Sequence, residues 1–228
     1  MSDYKAITKL EPRSIVSEQY RKLRTSIDYS TFNKELKVIN ITSTFPNEGK
    51  TITGINLATV YAQSNLKTLL IDMDLRKPKI HRSFGLSNSN GISDYITEGN
   101  LVDQYIDKVD ENLDVLVSGQ KIPFPAELLM SDKLKEMMHY LKTKYDKIII
   151  DCPPMTAVAD AMIISNFSDG TVFVIASRKT NSTIAKDSLK QLSESGANIL
   201  GGVLTRVQKK DTYYGMNYHY YYAEEDKA

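Results

Sequence analysis

From Val38 an apolar, β-branched run breaks at Ser43 into a short polar loop that closes on Gly49-Lys50-Thr51, and from Ile52 to Tyr61 apolar residues recur at helical spacing. A strand, a tight loop and a helix in that order constrain everything around them. Backbone N–H groups at the start of such a helix point at an anion, and the helix dipole adds a favourable field. The loop Pro46, Asn47, Glu48, Gly49, Lys50, Thr51 and Ile52 therefore reads as a cradle for the phosphates of a nucleoside triphosphate. Lys50 would bring a point charge to the outer phosphates, and the Thr51 hydroxyl would ligate Mg²⁺. The usual pattern, G-x-x-x-x-G-K-[ST], opens on a glycine where this chain has Thr44. In this relaxed loop Asn47 is the residue expected to carry a positive φ.

Strand-like runs alternate with helical patterns along most of the chain. The strands are expected at 36–43, 67–72, 112–118, 147–151, 171–176 and 199–204, mostly as unbroken apolar runs suited to parallel strands covered on both faces. Helices are expected at 14–29, 50–64, 126–145, 157–167 and 182–195. The alternation implies an α/β fold of the P-loop NTPase type, a doubly wound, mostly parallel sheet with its ligand at the carboxyl ends of the strands. The helix at 14–29 precedes the first strand and stands outside this alternation. Three parts follow: an N-terminal segment, 1–35; the phosphate-loop domain, 36–207; and a tyrosine-rich tail, 208–228, expected to be flexible.

A chain of 228 residues can bury one good core. A formal net charge of +1 gives no global argument for nucleic acid or an anionic membrane. Cys152 is the sole cysteine, so no disulfide framework exists and a reducing compartment is expected. No apolar run approaches the roughly 20 residues of a membrane span, and the N-terminus lacks the apolar core of a signal peptide. A cytoplasmic location is expected, with any membrane attachment supplied by a partner.

Two more strand ends carry acids. Asp151 follows Ile148-Ile149-Ile150 and precedes Cys152-Pro153-Pro154, the position of an acid that reaches Mg²⁺ through water. Read alone it could equally cap a turn. Asp72 and Asp74 close the second run and are followed by Arg76-Lys77-Pro78. Strand alternation places both carboxylates on one face, where their repulsion calls for a cation between them. One of the pair would ligate the metal, and the other would orient or deprotonate an attacking hydroxyl. The competing interpretation is a solvated acidic turn balanced by Arg76 and Lys77.

Taken together, Thr42-Ser43-x-x-Pro46-x-Glu48-Gly49-Lys50-Thr51, Ile71-Asp72-x-Asp74-x-Arg76-Lys77-Pro78 and Ile150-Asp151-x-Pro153-Pro154 resemble the bacterial tyrosine kinases of capsular and exopolysaccharide synthesis. The likeness runs from about Ile15 to the tail. It is strongest to the form whose kinase is a separate chain from its membrane-embedded co-polymerase activator. The resemblance implies ATP and Mg²⁺ as cofactors. It also implies catalytic roles for Lys50 and for Asp72 as the base toward a tyrosine hydroxyl, with the metal held by Thr51, Asp74 and Asp151. The family usually has glycine where Asn47 stands. Partitioning-type ATPases share the fold, but carry an extra lysine at the position of Phe45; they and a nucleotide-gated scaffold are the alternatives.

The tail from Asp211 contains Tyr213, Tyr214, Tyr218, Tyr220, Tyr221 and Tyr222 among polar residues, a composition that forms no core. Stacking on nucleic acid would want interleaved Lys and Arg, whereas the neighbours are Glu224, Glu225 and Asp226. A run of phosphoacceptors explains the composition better, and it resembles the family's autophosphorylated cluster. An extended chain from Gln208 onward could span roughly 65 Å, enough to enter a neighbouring subunit's site. Glu18, Arg21 and Arg24 lie at three-residue spacing on the first helix. The spacing allows a simple solvated ion pair. It also resembles the family's E-x-x-R-x-x-R oligomerisation motif, which implies a ring of subunits recruited by the activator to the inner face of the membrane.

Overall fold

The computed structural model describes residues 6–30 and 35–208. Two helices come first, α1 (Ile7–Leu10) and α2 (Ile15–Asp28), and then β1 (Val38–Ser43), α3 (Lys50–Ala62), β2 (Thr68–Asp72), α4 (Ile80–Phe84) and α5 (Ile92–Glu98). There follow β3 (Ile106–Lys108), β4 (Leu113–Leu116), α6 (Pro125–Met130), α7 (Asp132–Lys144), β5 (Lys147–Asp151), α8 (Asp160–Ser165), β6 (Gly170–Ala176), α9 (Ser182–Glu194) and β7 (Ile199–Thr205). Among the described residues the strands form one sheet in the order β3-β4-β2-β5-β1-β6-β7, in which every neighbouring pair is parallel except β3 with β4.

Every residue of β1, β2 and β5 is buried, as a central parallel strand covered on both faces requires. Alternation sends Val38, Leu69, Ile148 and Phe173 to one face, where they meet Leu134, Leu141 and Ile164 of α7 and α8. Ile39, Leu70, Ile149 and Val172 go to the other, beneath Ile55, Leu57 and Tyr61 of α3. Parallel pairing brings β1, β2 and β5 to the same end of the sheet, with Ile41 opposite Asp151 and Asp72 opposite Asp151. Three chain segments thus converge beyond one set of carboxyl ends.

Several expectations shift. The helix expected at 126–145 is two helices, because Ser131 leaves helical geometry (ψ 147°) and its hydroxyl accepts the N–H of Leu134 at 3.2 Å. The helix expected at 157–167 contracts to α8, and β1 begins at Val38 rather than at residue 36. The short elements α1, α4, α5 and β3 give too little periodic pattern to be read from sequence. Helix α2 starts on a Ser14 cap and packs against α1 and α3. Its far end is tied down by Asp28, whose Oδ1 accepts from the Tyr61 hydroxyl (2.9 Å) and the Lys147 ammonium (3.2 Å). Tyr213 through Tyr222, with the rest of the tail beyond Gln208, lie outside the described residues.

Candidate active site

The loop after β1 is built as its sequence requires. Gly49 takes φ 103° at the cap of α3, and Asn47 takes φ 65°. Gly49 is also in close contact, since a Cβ there would stand 3.1 Å from Thr205 Cγ2. The Glu48 carboxylate is buried, accepting the Phe45 N–H at 2.9 Å and the Thr180 hydroxyl, while the Glu48 carbonyl accepts from Thr205 Oγ1 at 2.5 Å. The segment after β6 and the end of β7 therefore buttress the loop from behind. On the side of β5, the Thr44 carbonyl accepts from the N–H (3.1 Å) and hydroxyl (2.6 Å) of Thr156. A cleft of about 250 Å³ opens beside the loop, lined by Phe45, Pro46, Asn47, Glu48, Ala176, Lys179 and Arg206.

The acids expected at the strand ends meet the loop lysine. Lys50 Nζ donates to Asp74 Oδ2 at 3.0 Å and to Asp151 Oδ1 at 3.2 Å, and the Thr51 hydroxyl donates to Asp151 Oδ2 at 2.6 Å. Lys50 sits at 5 % exposure and Asp74 at 5 %, with Asp151 and Asp72 fully buried, so these charges act in a medium that screens them poorly. Burial pulls the Lys50 ammonium down, but Asp151 and Asp74 outweigh it and leave its pKa above the ordinary lysine value. Burial raises the Asp151 carboxyl above the usual range, against the pull of Lys50 and of the Thr51 hydroxyl.

Asp72 is placed differently from its partner. Its Oδ2 accepts the N–H groups of Lys79 and Ile80, each at 2.9 Å, and its Oδ1 accepts the Asp74 N–H at 3.2 Å. Asp72 thus anchors the 73–79 loop while lying beside the charged cluster. Burial and the nearby Asp151 raise its pKa, which the Ile80 and Lys79 amides partly oppose. A carboxylate shifted in that direction is a better proton acceptor near neutral pH. Cys152, next to Asp151, is buried with its thiol pushed upward by burial and by Asp151, which keeps it protonated.

The oxygen set of Thr51, Asp74 and Asp151 suits a hard cation shared with phosphate oxygens and water, the way Mg²⁺ is normally held. Lys50 touches both carboxylates, and Thr51 touches one of them. On α2, Glu18 and Arg21 pair with each other, Arg21 also reaches the Pro12 carbonyl at 2.6 Å, and Arg24 donates to the Val60 carbonyl at 3.2 Å.

Sequence reading overlooked several side chains at the site. Thr180 and Thr205 brace the loop from a hundred or more residues away and have no local signal. Arg206 Nη2 donates to the Asn47 carbonyl at 2.6 Å, and Lys79 Nζ donates to Asn47 Oδ1 at 3.0 Å. Arg76, which the acidic-turn interpretation sets against Asp72 and Asp74, is named from sequence, but its two-pronged pair with buried Asp160 at the start of α8, at 3.0 and 3.3 Å, is not.

Comparison with known proteins places this architecture. A family model described as an AAA domain matches residues 36–209. Tyrosine-protein kinase YwqD of Bacillus subtilis is 40% identical over 222 residues, 96% of this chain and 92% of that protein. Among solved structures, the chimerical protein CapA2B2 superposes with a TM-score of 0.86 at 35% identity, covering 89% of each chain. The kinase domain of Escherichia coli tyrosine kinase ETK superposes at 0.85 with 31% identity, over 91% of this chain and 84% of that one.

Proposed function

The chain belongs to the bacterial tyrosine kinases, and from that membership we propose that it transfers phosphate from MgATP to the tyrosines of its own C-terminal cluster, passing the tail between subunits of a ring. The observation that carries this reading is the convergence of Lys50, Thr51, Asp74 and Asp151, with Asp72 buried beside them, at the carboxyl ends of three adjacent strands. One side of the site is a phosphate loop. The other side is a carboxylate whose raised pKa equips it to take a phenol proton.

In this reading the backbone amides of residues 47–51 and the Lys50 ammonium bind the phosphates, and the adjoining cleft receives the nucleoside. Thr51, Asp74 and Asp151 hold Mg²⁺, which neutralises phosphate charge when bound. The acceptor hydroxyl lies opposite the leaving oxygen, where Asp72 Oδ1 orients it and takes its proton as the new O–P bond forms. With a tyrosine pKa near 10, prior deprotonation is unnecessary, and positioning contributes most. Acceptors are Tyr213, Tyr214, Tyr218, Tyr220, Tyr221 and Tyr222.

The ring is built through α2, where Glu18, Arg21 and Arg24 accompany the half-exposed apolar residues Ile15 and Val16. Each tail phosphate adds roughly −1.5 to −2 charges beside Glu224, Glu225 and Asp226, so accumulated phosphates repel and release the ring. We place this cycle in control of capsular or exopolysaccharide synthesis, with a membrane-embedded co-polymerase as activator. Among the described residues no helix is long and apolar enough to cross a membrane.

The test is to incubate the chain with MgATP, with and without the activator's cytoplasmic segment, and map phosphosites by mass spectrometry. Phosphotyrosine in the tail that disappears in Lys50→Met is the expected result. ATP hydrolysis with no tail phosphotyrosine in either arm would sink the kinase reading.

A further inference from the structure

Two further cations reach the phosphate loop at Asn47, and they come from opposite sides. Arg206 holds the Asn47 carbonyl on the cleft side, and Lys79 holds the side-chain Oδ1 from the 73–79 loop. Lys79 joins the phosphate loop to the segment that carries Asp72. Its backbone N–H is bonded to Asp72 Oδ2 at 2.9 Å, as is that of the next residue, Ile80. Its ammonium meanwhile rests on the loop that cradles the donor phosphates. The preceding residue, Pro78, fixes the approach of the chain, so one peptide links the candidate base to a cation at the phosphate loop.

The resting partner of Lys79 is also informative. Lys50 is held by two carboxylates, but the Lys79 ammonium bonds a neutral amide oxygen and is exposed. A phosphate oxygen is the stronger acceptor for an ammonium and takes it from a neutral amide. The glycine usual at the position of Asn47 would offer no such resting place.

We propose that Lys79 is a further catalytic cation, which leaves Asn47 Oδ1 for the outermost phosphate of the bound nucleotide and stays with the phosphoryl group during transfer. This rests on the kinase reading above. In the step, the tyrosine oxygen forms a bond to the γ-phosphorus, the bond from that phosphorus to the β,γ-bridging oxygen breaks with its electron pair going to ADP, and the phenol proton passes to Asp72. Charge spreads over the equatorial oxygens of the moving group, and a cation anchored next to the base can follow it from donor to acceptor.

The experiment uses the full chain with MgATP and the activator's cytoplasmic segment. It measures single-turnover tail phosphorylation and, separately, binding of a fluorescent ATP analogue, in wild type, Lys79→Met, Lys79→Arg, Asn47→Gly and the Lys79→Met/Asn47→Gly double variant. Loss of one transition-state donor predicts a fall of about 100-fold in rate for Lys79→Met. Nucleotide affinity should change far less, and Lys79→Arg should recover part of the rate. The factor lost on Lys79→Met should be the same whether residue 47 is Asn or Gly. If Lys79 only props the loop through Asn47, Lys79→Met will cost nothing further in the Asn47→Gly background, and the proposal is wrong. It is equally wrong if the loss falls on nucleotide affinity with the rate untouched. A wild type that makes no phosphotyrosine overturns the kinase reading and this proposal with it; an active wild type matched by Lys79→Met overturns this proposal alone.

Discussion

Lys50→Met should destabilise the ligand-free protein, and by more as pH rises. Lys50 is the cation bonded to Asp74 and Asp151 in a cluster where Asp151 and Asp72 are fully buried. Methionine fills a similar volume but leaves those carboxylates facing one another without compensation. Removing one partner of a buried pair costs about 3–5 kcal/mol. Thr51 and the backbone amides on Asp72 remain in place, so the lower end, about 3 kcal/mol, is expected, or about 6–12 °C in Tm for a domain of this size. The sign of the pH dependence follows from the direction of the shifts. Asp72 and Asp151 already have folded-state pKa values above the usual carboxylate range, so the folded protein holds protons that the unfolded chain has released. Their contribution to stability is present at low pH and is lost as pH rises through the folded pKa. Lys50 opposes that shift at both acids, so deleting it moves them further up and extends the loss. Urea melts in EDTA from pH 5 to pH 8 should show the gap between variant and wild type widening, by up to about 1.4 kcal/mol per pH unit for each proton involved. A gap that stays constant across that range would refute the electrostatic account, and a variant more stable than wild type at pH 8 would refute it outright.

Replacing Glu18, Arg21 and Arg24 together by alanine should leave the kinase domain folded and shift light scattering from assembled to monomeric; assembly at the wild-type mass would remove α2 from the interface. Burial and Asp28 push the Tyr61 phenol above its ordinary value of 10.0, so the folded state keeps a proton that the unfolded chain loses, and wild-type stability should fall as pH climbs past about 10. Tyr61→Phe gives up the 2.9 Å bond to Asp28, about 1 kcal/mol at neutral pH, but lacks that alkaline slope, so parallel melts of the two proteins between pH 9 and 11 would contradict the assignment. Gly91→Ala should lower Tm sharply, because a Cβ there would lie 2.3 Å from both the Gly119 nitrogen and the Val117 oxygen, backbone atoms that cannot step aside; a Tm within a degree of wild type would show that the 87–91 and 117–120 loops slide freely.

The central strands were legible because burial on both faces writes itself as unbroken apolar runs. Residues 147–151 fit that description and form β5 with the expected bounds. Strand β3 could not be read in the same way, since Ile106-Asp107-Lys108 is a half-exposed edge segment whose charges suit an edge but announce nothing. The break at Ser131 was in principle readable, because Ser-Asp is a capping pair, but the flanking apolar spacing runs through it and masks the stop. At the site, the residues that meet through strand ends were accessible, and Asn47 has the positive φ that the relaxed loop called for. What the sequence withheld is the tertiary bracing of the loop. Thr180, Thr205 and Arg206 reach Glu48 and Asn47 from the far strands, and nothing in the local order of residues encodes those contacts.

The charged side chains of the ligand-free site already hold one another, and that has a consequence for how nucleotide enters. Lys50 is engaged by Asp74 and Asp151, the Phe45 amide by Glu48, the Lys79 and Ile80 amides by Asp72, and the Lys79 ammonium by Asn47. For Lys50 and Lys79, binding is therefore an exchange of partners. Lys50 cannot turn to a phosphate without leaving two buried carboxylates uncompensated, which is expensive in a poorly screened interior. Asp74 and Asp151 must receive another positive charge in the same event, and they are the acids assigned to the metal. Nucleotide affinity should accordingly depend on Mg²⁺ more steeply than phosphate chelation alone would require. Asp74→Asn, which removes one of the two charges that hold Lys50, should weaken that dependence even as it impairs transfer. The lysine of the phosphate loop and the acids of the neighbouring strands thus act as one unit, linked at 3.0 and 3.2 Å, in which Lys50 turns to phosphate only as another cation takes its place.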